Sequence, residues 1–265
     1  MRQLLFTLVI ICLIFTGCSE DFSISYNNKT YHVIVEKPKL HQAQYPLIIY
    51  NHGGGYLTLE PFELRKLAKE LAKAGFLVWI PERSLWRPET AFHNYKEAMA
   101  ISRLLLAKAL NSNEVDKSNI NIAGFCLGSW ATLSEHITSP VNSLILIGFG
   151  APFDDASLYD MVYSLANNTQ LSNLKPKVLV MVTQGDTKVA TEPAKILCEK
   201  LISLNKTVAC VEYKSGDHLS LAGNKTYIED LKRYLLGQPI NTTNNIKTNK
   251  MVLERWEEVR KAGYW

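Results

Sequence analysis

Gly124-Phe125-Cys126-Leu127-Gly128 lies between two apolar segments. Before it, Asn119-Ile120-Asn121-Ile122-Ala123 reads as a buried strand; after it, Trp130-Ala131-Thr132-Leu133 reads as a helix. A chain that passes from strand to helix in so few residues turns so tightly that only glycine tolerates the crowding on either side. The residue at the tip then projects from the top of the sheet and heads the following helix. There the helix N-terminus favours a thiolate and any oxyanion that forms beside it. That residue is Cys126, a candidate nucleophile.

The flanking chain repeats the same strand–helix alternation. Phe22 to Tyr26 and Tyr31 to Val35 alternate as half-buried strands around an Asn27-Asn28-Lys29 turn. Pro46 to Tyr50 is a continuous apolar run, the mark of a strand covered on both faces. A helix from Pro61 is closed by Gly75, a strand runs from Phe76 to Ile80, and a long amphipathic helix covers Glu89 to Leu110. Beyond the Cys126 turn, strands are predicted at Ser143 to Ile147, Lys177 to Thr183 and Val208 to Tyr213. Helices are predicted at Asp154 to Leu165, Glu192 to Leu204 and Tyr227 to Leu236. Such an order predicts an α/β architecture: a mostly parallel sheet of about eight strands, helices on both faces, an antiparallel opening edge and a minimal cap. With 265 residues, 47% of them hydrophobic, the chain buries one large core over residues 22–237. Residues 238–250 read as a linker. Residues 251–265 read as a short amphipathic helix with Val252, Trp256 and Val259 on one face, docked on the core or meeting a partner or membrane.

Residues 1–17 carry a different signal. Arg2 is followed by an almost unbroken apolar run from Leu4 to Phe15, then by Thr16-Gly17-Cys18. The run is shorter than the ~20 residues a membrane-spanning helix needs, and small residues mark a cleavage site. It resembles a bacterial lipoprotein signal, with cleavage before Cys18 and lipid on that sulfur. Ser19, rather than an aspartate, follows, which by the same resemblance implies the outer membrane if the organism is diderm. The formal charge of +4 drops by one with Arg2, and no basic run marks a nucleic-acid stripe. Nucleic acid is excluded as a partner. Of the five cysteines, Cys126, Cys198 and Cys210 remain in a compartment that permits disulfides. A Cys198–Cys210 bridge would need Cα atoms within about 7 Å, tight for a helix over a sheet, so the pair is expected as two inert thiols.

Two further segments carry chemistry. His52-Gly53-Gly54-Gly55 follows the third strand, where backbone N–H groups around Gly54 and Gly55, with that of Leu127, would form an oxyanion hole. His52 is expected to orient this loop by hydrogen bonding. Of six histidines, His218 stands in the loop after the last strand, where a general base belongs in this chain order. Its carboxylate partner is expected at Asp186, after the penultimate strand; Asp154, Asp155 and Glu192 are rivals, each also readable as a helix cap or first-turn acid.

Taken together, residues from about Tyr31 to Leu236 resemble the α/β-hydrolase superfamily. Within it, Gly-Phe-Cys-Leu-Gly-Ser and the preceding Val115-Asp116-Lys117-Ser118-Asn119-Ile120 resemble the dienelactone hydrolase family. The resemblance implies an open site for a small acyl ester or lactone, no cofactor or metal, and a triad of Cys126, His218 and Asp186. The His-Gly-Gly-Gly loop instead resembles those of lipases and esterases, so the family's recognition of acidic lactones is not implied. The expected function is therefore membrane-tethered carboxylic-ester, lactone or thioester hydrolysis through an acyl-thioester. Alternatives are a peptidase or acyltransferase of the same fold, or a non-catalytic surface lipoprotein that binds a ligand or partner.

Overall fold

The computed structural model describes residues 21–54, 61–83, 91–152 and 156–240. Cys18 and the N-terminal signal, Gly55, Asp154, Asp155 and the segment 251–265 lie outside these residues. The strands are β1 (Phe22–Tyr26), β2 (Lys29–Glu36), β3 (Tyr45–Asn51), β4 (Leu77–Pro81), β5 (Val115–Phe125), β6 (Ser143–Ile147), β7 (Ala151–Pro152), β8 (Lys177–Thr183), β9 (Val189–Ala190) and β10 (Val208–Tyr213). The helices are α1 (Pro61–Lys73), α2 (Ala91–Asn111), α3 (Leu127–His136), α4 (Ala156–Ala166), α5 (Glu192–Ser203), α6 (Ser220–Gly223) and α7 (Lys225–Leu235), with a 3-10 turn at Thr169–Asn173.

Eight strands form one sheet in the order β1-β2-β4-β3-β5-β6-β8-β10. All pairs from β4 onward are parallel, and β2 pairs antiparallel with both β1 and β4. The opening hairpin thus forms the antiparallel edge the alternating pattern predicts. Its turn is made by Asn27 and Asn28, at φ 48° and 60°, a left-handed pair that asparagine tolerates and a two-residue hairpin requires.

Side-chain alternation sends the central strands into two separate cores. Leu47 and Ile49 of β3, with Val178 and Val180 of β8, pack on one face beneath Ile101 and Leu105 of α2 and Leu133 of α3. Ile48 and Tyr50, with Leu179 and Met181, pack on the other beneath Leu67 and Leu71 of α1 and Tyr227 and Leu231 of α7. Burial on both faces explains why these strands read as unbroken apolar runs. Each such leucine or isoleucine contributes roughly 1.5–3 kcal/mol by leaving water. The short pair β7–β9 and the four-residue α6 carry no periodic signal, being too short to show one.

One expectation is corrected. Cys198 and Cys210 are bonded to each other, with Cα atoms 6.3 Å apart. The reason is β10's place at the sheet edge. The α5 turn carrying Lys195 and Cys198 lies over Glu212 and Cys210, and the Lys195 and Glu212 side chains meet at 3.1 Å. A sequence separation of 12 closes a short loop, whose chain-entropy contribution is about 3 kcal/mol. The double substitution Cys198→Ala/Cys210→Ala is accordingly expected to lower the unfolding free energy by about 2–4 kcal/mol in urea denaturation. A loss well under 1 kcal/mol would contradict a bridge that ties α5 to the edge strand.

Candidate active site

The site begins with a backbone strain. Cys126 sits at φ 52°, ψ −119°, a region that non-glycine residues occupy only when their surroundings enforce it. Space, not left-handed backbone, is what the two flanking glycines supply. A methyl group at Gly124 would stand 2.2 Å from the Gly128 carbonyl oxygen, and one at Gly128 would stand 1.9 Å from that of Asn51. The turn is pinned to the neighbouring strand as well. Cys126 N–H donates to Ile147 O at 2.9 Å. The Ser129 hydroxyl lies 2.7 Å from Gly124 O and 2.8 Å from Ile147 O, and accepts from Ile147 N–H at 3.0 Å. Ser129 is therefore the brace of the turn, a role visible in sequence only as a small polar residue after the second glycine.

β8 and β10 end at the same edge of the sheet and supply the other two side chains. His218 is 1% exposed and its Nδ1 lies 2.7 Å from Asp186 Oδ2. The other oxygen of Asp186 accepts from the N–H groups of Lys188 and Val189, both at 2.9 Å. The two loops touch backbone to backbone at Gly185, where any side chain would strike Gly216 O at 2.3 Å. That contact is how an acid loop with Asp186 immediately after its glycine still reaches His218. Of the rivals, Glu192 opens α5 and is exposed to solvent. Asp217 accepts from Ser220 N–H and Oγ–H at 2.9 and 2.8 Å and so faces away from its neighbour His218.

Electrostatics sort these groups. Burial would raise the Asp186 carboxyl, but the His218 charge, its hydrogen bond and the two loop amides outweigh it and hold the group below the usual carboxylate range. Burial would depress His218, yet Asp186 and Cys126 together hold its imidazole well above the ordinary value. His218 Nε2 is buried with no hydrogen-bond partner of normal geometry, while the Cys126 sulfur is close enough to act on the ring. The imidazole is further held against the Phe125 ring, their centroids 4.9 Å apart. Phe125, adjacent to Cys126, carries no sequence signal of this contact; nothing in a sequence ties it to a residue so far along the chain.

The glycine loop enters the site from β3. A methyl group at Gly53 would stand 3.2 Å from Cys126 Cβ and 3.1 Å from the Phe125 ring, so this backbone passes Cys126 at contact distance. Gly54 follows, half-buried; Leu127 opens α3, with a first-turn N–H that has no acceptor within its own helix. His52 has both ring nitrogens engaged. Burial, aided by the Arg83 charge, pushes it down to about 3, so the ring is neutral. Nε2 accepts from Arg83 N–H at 3.1 Å, leaving Nδ1–H to donate to Gly53 O at 2.7 Å. It orients the loop, as expected of it, and holds no free nitrogen for base chemistry. The Arg83 guanidinium also donates to His52 O. Burial lowers it to about 10, opposed by the charges of Glu97 and Cys126, which places a cation within electrostatic reach of the sulfur. Sequence reasoning missed Arg83; its one signal is a basic residue just past the C-terminal end of β4.

No model of a known protein family matches the chain, and no curated protein matches its sequence. Solved structures do match. A Klebsiella pneumoniae protein described as a dienelactone hydrolase superposes with a TM-score of 0.63 at 18% identity, over 82% of this chain and 96% of that one. A thermophilic esterase of Thermogutta terrifontis superposes at 0.61 and 16% identity, over 83% and 94%. An esterase of the archaeon Pyrobaculum calidifontis superposes at 0.59 and 14% identity, over 87% and 88%. The chain has the α/β-hydrolase fold. Cys126, His218 and Asp186 stand at the C-terminal edge of its parallel strands, where open α/β sheets place their ligands.

The Asp186–His218 pair has a pH signature. A raised imidazole stabilises the fold fully below its ordinary value of 6.5, and that contribution is lost as pH rises through the higher folded value. A lowered carboxyl contributes above its ordinary value of 3.8 and loses its contribution as pH falls through the lower folded value. The stability gap between wild type and His218→Gln, measured by urea unfolding, should therefore be widest between these ordinary values and narrow toward alkaline pH. A gap that widens above pH 7 would contradict the assignment.

Proposed function

We propose that the protein is a thiol-dependent carboxylic-ester hydrolase working through Cys126, His218 and Asp186, with Gly54, Gly55 and Leu127 as oxyanion donors. The observation that carries this reading is a buried imidazole bonded to a carboxylate through Nδ1, its other face within interaction reach of a sulfur on a strained turn. A cysteine kept only for packing needs neither the strain nor an adjacent, oriented imidazole.

The steps follow from these positions. His218 Nε2 takes the Cys126 thiol proton as the sulfur attacks the acyl carbonyl, and the carbonyl π pair moves onto oxygen among the backbone donors. Collapse of the adduct breaks the ester C–O bond, and His218 Nε2–H gives its proton to the departing alkoxide. Water then enters, His218 Nε2 takes its proton, and the hydroxide carbon–oxygen bond forms as the thioester C–S bond breaks. The products are an acid and an alcohol, and the departing sulfur recovers its proton from His218. Because a thiolate leaves more readily than an alkoxide, the first adduct reverts unless the substrate has a good leaving group. Aryl esters, enol lactones and thioesters are favoured over amides on that ground.

We place this activity outside the cytosol, tethered by lipid on Cys18. The Cys198–Cys210 bridge supports an oxidising compartment, and among the described residues no helix is long and apolar enough to cross a membrane. Aryl-ester assays of wild type, Cys126→Ala and His218→Ala test the chemistry. Burst release of the aryl product is expected in the wild type, with the rate falling at least a thousandfold in both variants. Equal rates in all three would overturn the reading in favour of a binding protein. In the native host, Cys18→Ala should move the protein from the membrane to the soluble fraction, and unchanged membrane association would refute the tether.

A further inference from the structure

Behind the candidate oxyanion hole lies a string of polar side chains in an otherwise apolar layer. Asn51, the last residue of β3, is 0% exposed. Its Nδ2 donates to Ser102 Oγ of α2 at 2.9 Å and to Thr132 Oγ1 of α3 at 3.0 Å. Ser102 Oγ lies 2.8 Å from His136 Nε2, and His136 Nδ1 lies 3.0 Å from Ser139 Oγ. Burial holds His136 down to about 3, so its ring is neutral, with one nitrogen accepting and one donating. With Asn51 donating to Ser102, the serine proton goes to Nε2, and Nδ1–H then donates to Ser139. The string is continuous and four residues deep. It leaves Asn51 Oδ1 buried and without a partner.

Stability alone does not account for this arrangement. Replacing buried hydrogen-bonded partners by apolar groups of matching shape is often neutral, and an orphaned carbonyl oxygen is a cost. What a polar string supplies is direction: it joins specific atoms on three elements and fixes their relative register. The elements joined matter here. The donor loop at Gly54 grows out of β3, whereas Leu127 belongs to α3, so the two halves of the hole come from separate parts of the chain. Asn51 is the residue from which the loop departs, it is hydrogen-bonded to α3 through Thr132, and its own carbonyl presses on the site of Gly128.

We infer that Asn51 is a positioning residue, whose amide, anchored through Ser102, His136 and Thr132, sets where the glycine loop stands relative to the N-terminus of α3. It touches no reacting atom. Its effect is on the spacing of the backbone donors, and so on stabilisation of the oxyanion rather than on the sulfur. This rests on the ester-hydrolase reading for its catalytic consequence, but not for its structural one.

The test is Asn51→Leu, with Ser102→Ala as a milder second variant. Against an aryl ester, kcat should fall at least tenfold with KM held within twofold, since loss of an aligned donor acts in the transition state. Alkylation of Cys126 by iodoacetamide forms no oxyanion and should stay within twofold of wild type. Amide exchange followed by NMR should speed up at least tenfold at His52 and Gly53, with Leu127 to Ser129 unchanged. Ser102→Ala should move the same readouts less, and it decides the matter if Asn51→Leu does not fold. An unchanged kcat in an active enzyme, alkylation falling in step with kcat, or unaltered exchange in the loop would each overturn the inference. A wild type inert toward every ester would defeat the hydrolase reading alone, and the exchange measurement would still decide the role of Asn51.

Discussion

Everything in the site hangs on holding Cys126 in a backbone conformation it would not choose. A non-glycine residue at φ 52° and ψ −119° costs on the order of 1–3 kcal/mol, and it persists because its neighbours over-determine it. Here the neighbours are identifiable. The strand before the turn is locked between β3 and β6, with Asn51 opposite Gly124 and Ile147 opposite Phe125. The helix after it is tied back by Ser129, and both glycines are crowded by carbonyl oxygens that leave no room for a side chain. Strain of this kind places a sulfur at the head of a helix and clear of the strand.

The rest of the sheet converts that one projecting atom into a site. Parallel strands end on a common edge, so loops distant in sequence arrive beside the turn without any dedicated scaffold. β8 delivers Asp186 and β10 delivers His218, and the contact at Gly185 and Gly216 sets the two loops against each other. β3 delivers the glycine loop, locked by His52 and Arg83 on one side and by the Asn51 string on the other. Two buried cores, one on each face, hold the strands rigid enough for this convergence to keep its geometry.

Much of this was legible in the sequence, and what was legible has a common cause. Gly124 and Gly128 announced themselves because sterics admit nothing larger at a strand–helix crossing. The apolar runs of β3, β5, β6 and β8 read as doubly covered strands because they are. His218 and Asp186 are readable by their place after the last strands, although that place alone leaves Asp154, Asp155 and Glu192 as rivals for the acid. The illegible parts are contacts between residues far apart in sequence whose types are individually ordinary. Cys198 and Cys210 read as separate thiols in the sequence because nothing in it shows that α5 lies on the edge strand. Phe125 against His218, Arg83 against His52, and Asn51 reaching Ser102 and Thr132 depend on how elements pack, which no local pattern records.

The central claim is that the sulfur of Cys126 forms a covalent bond to the acyl group during turnover. Acid-quenching the protein within the burst of an aryl-ester reaction, then locating the adduct by peptide mass spectrometry, tests it directly. The account predicts one acyl group per chain on the peptide bearing Cys126, stable to acid and released by hydroxylamine as a thioester is. Rapid turnover with Cys126 unmodified, or with the acyl group on another residue, would contradict it.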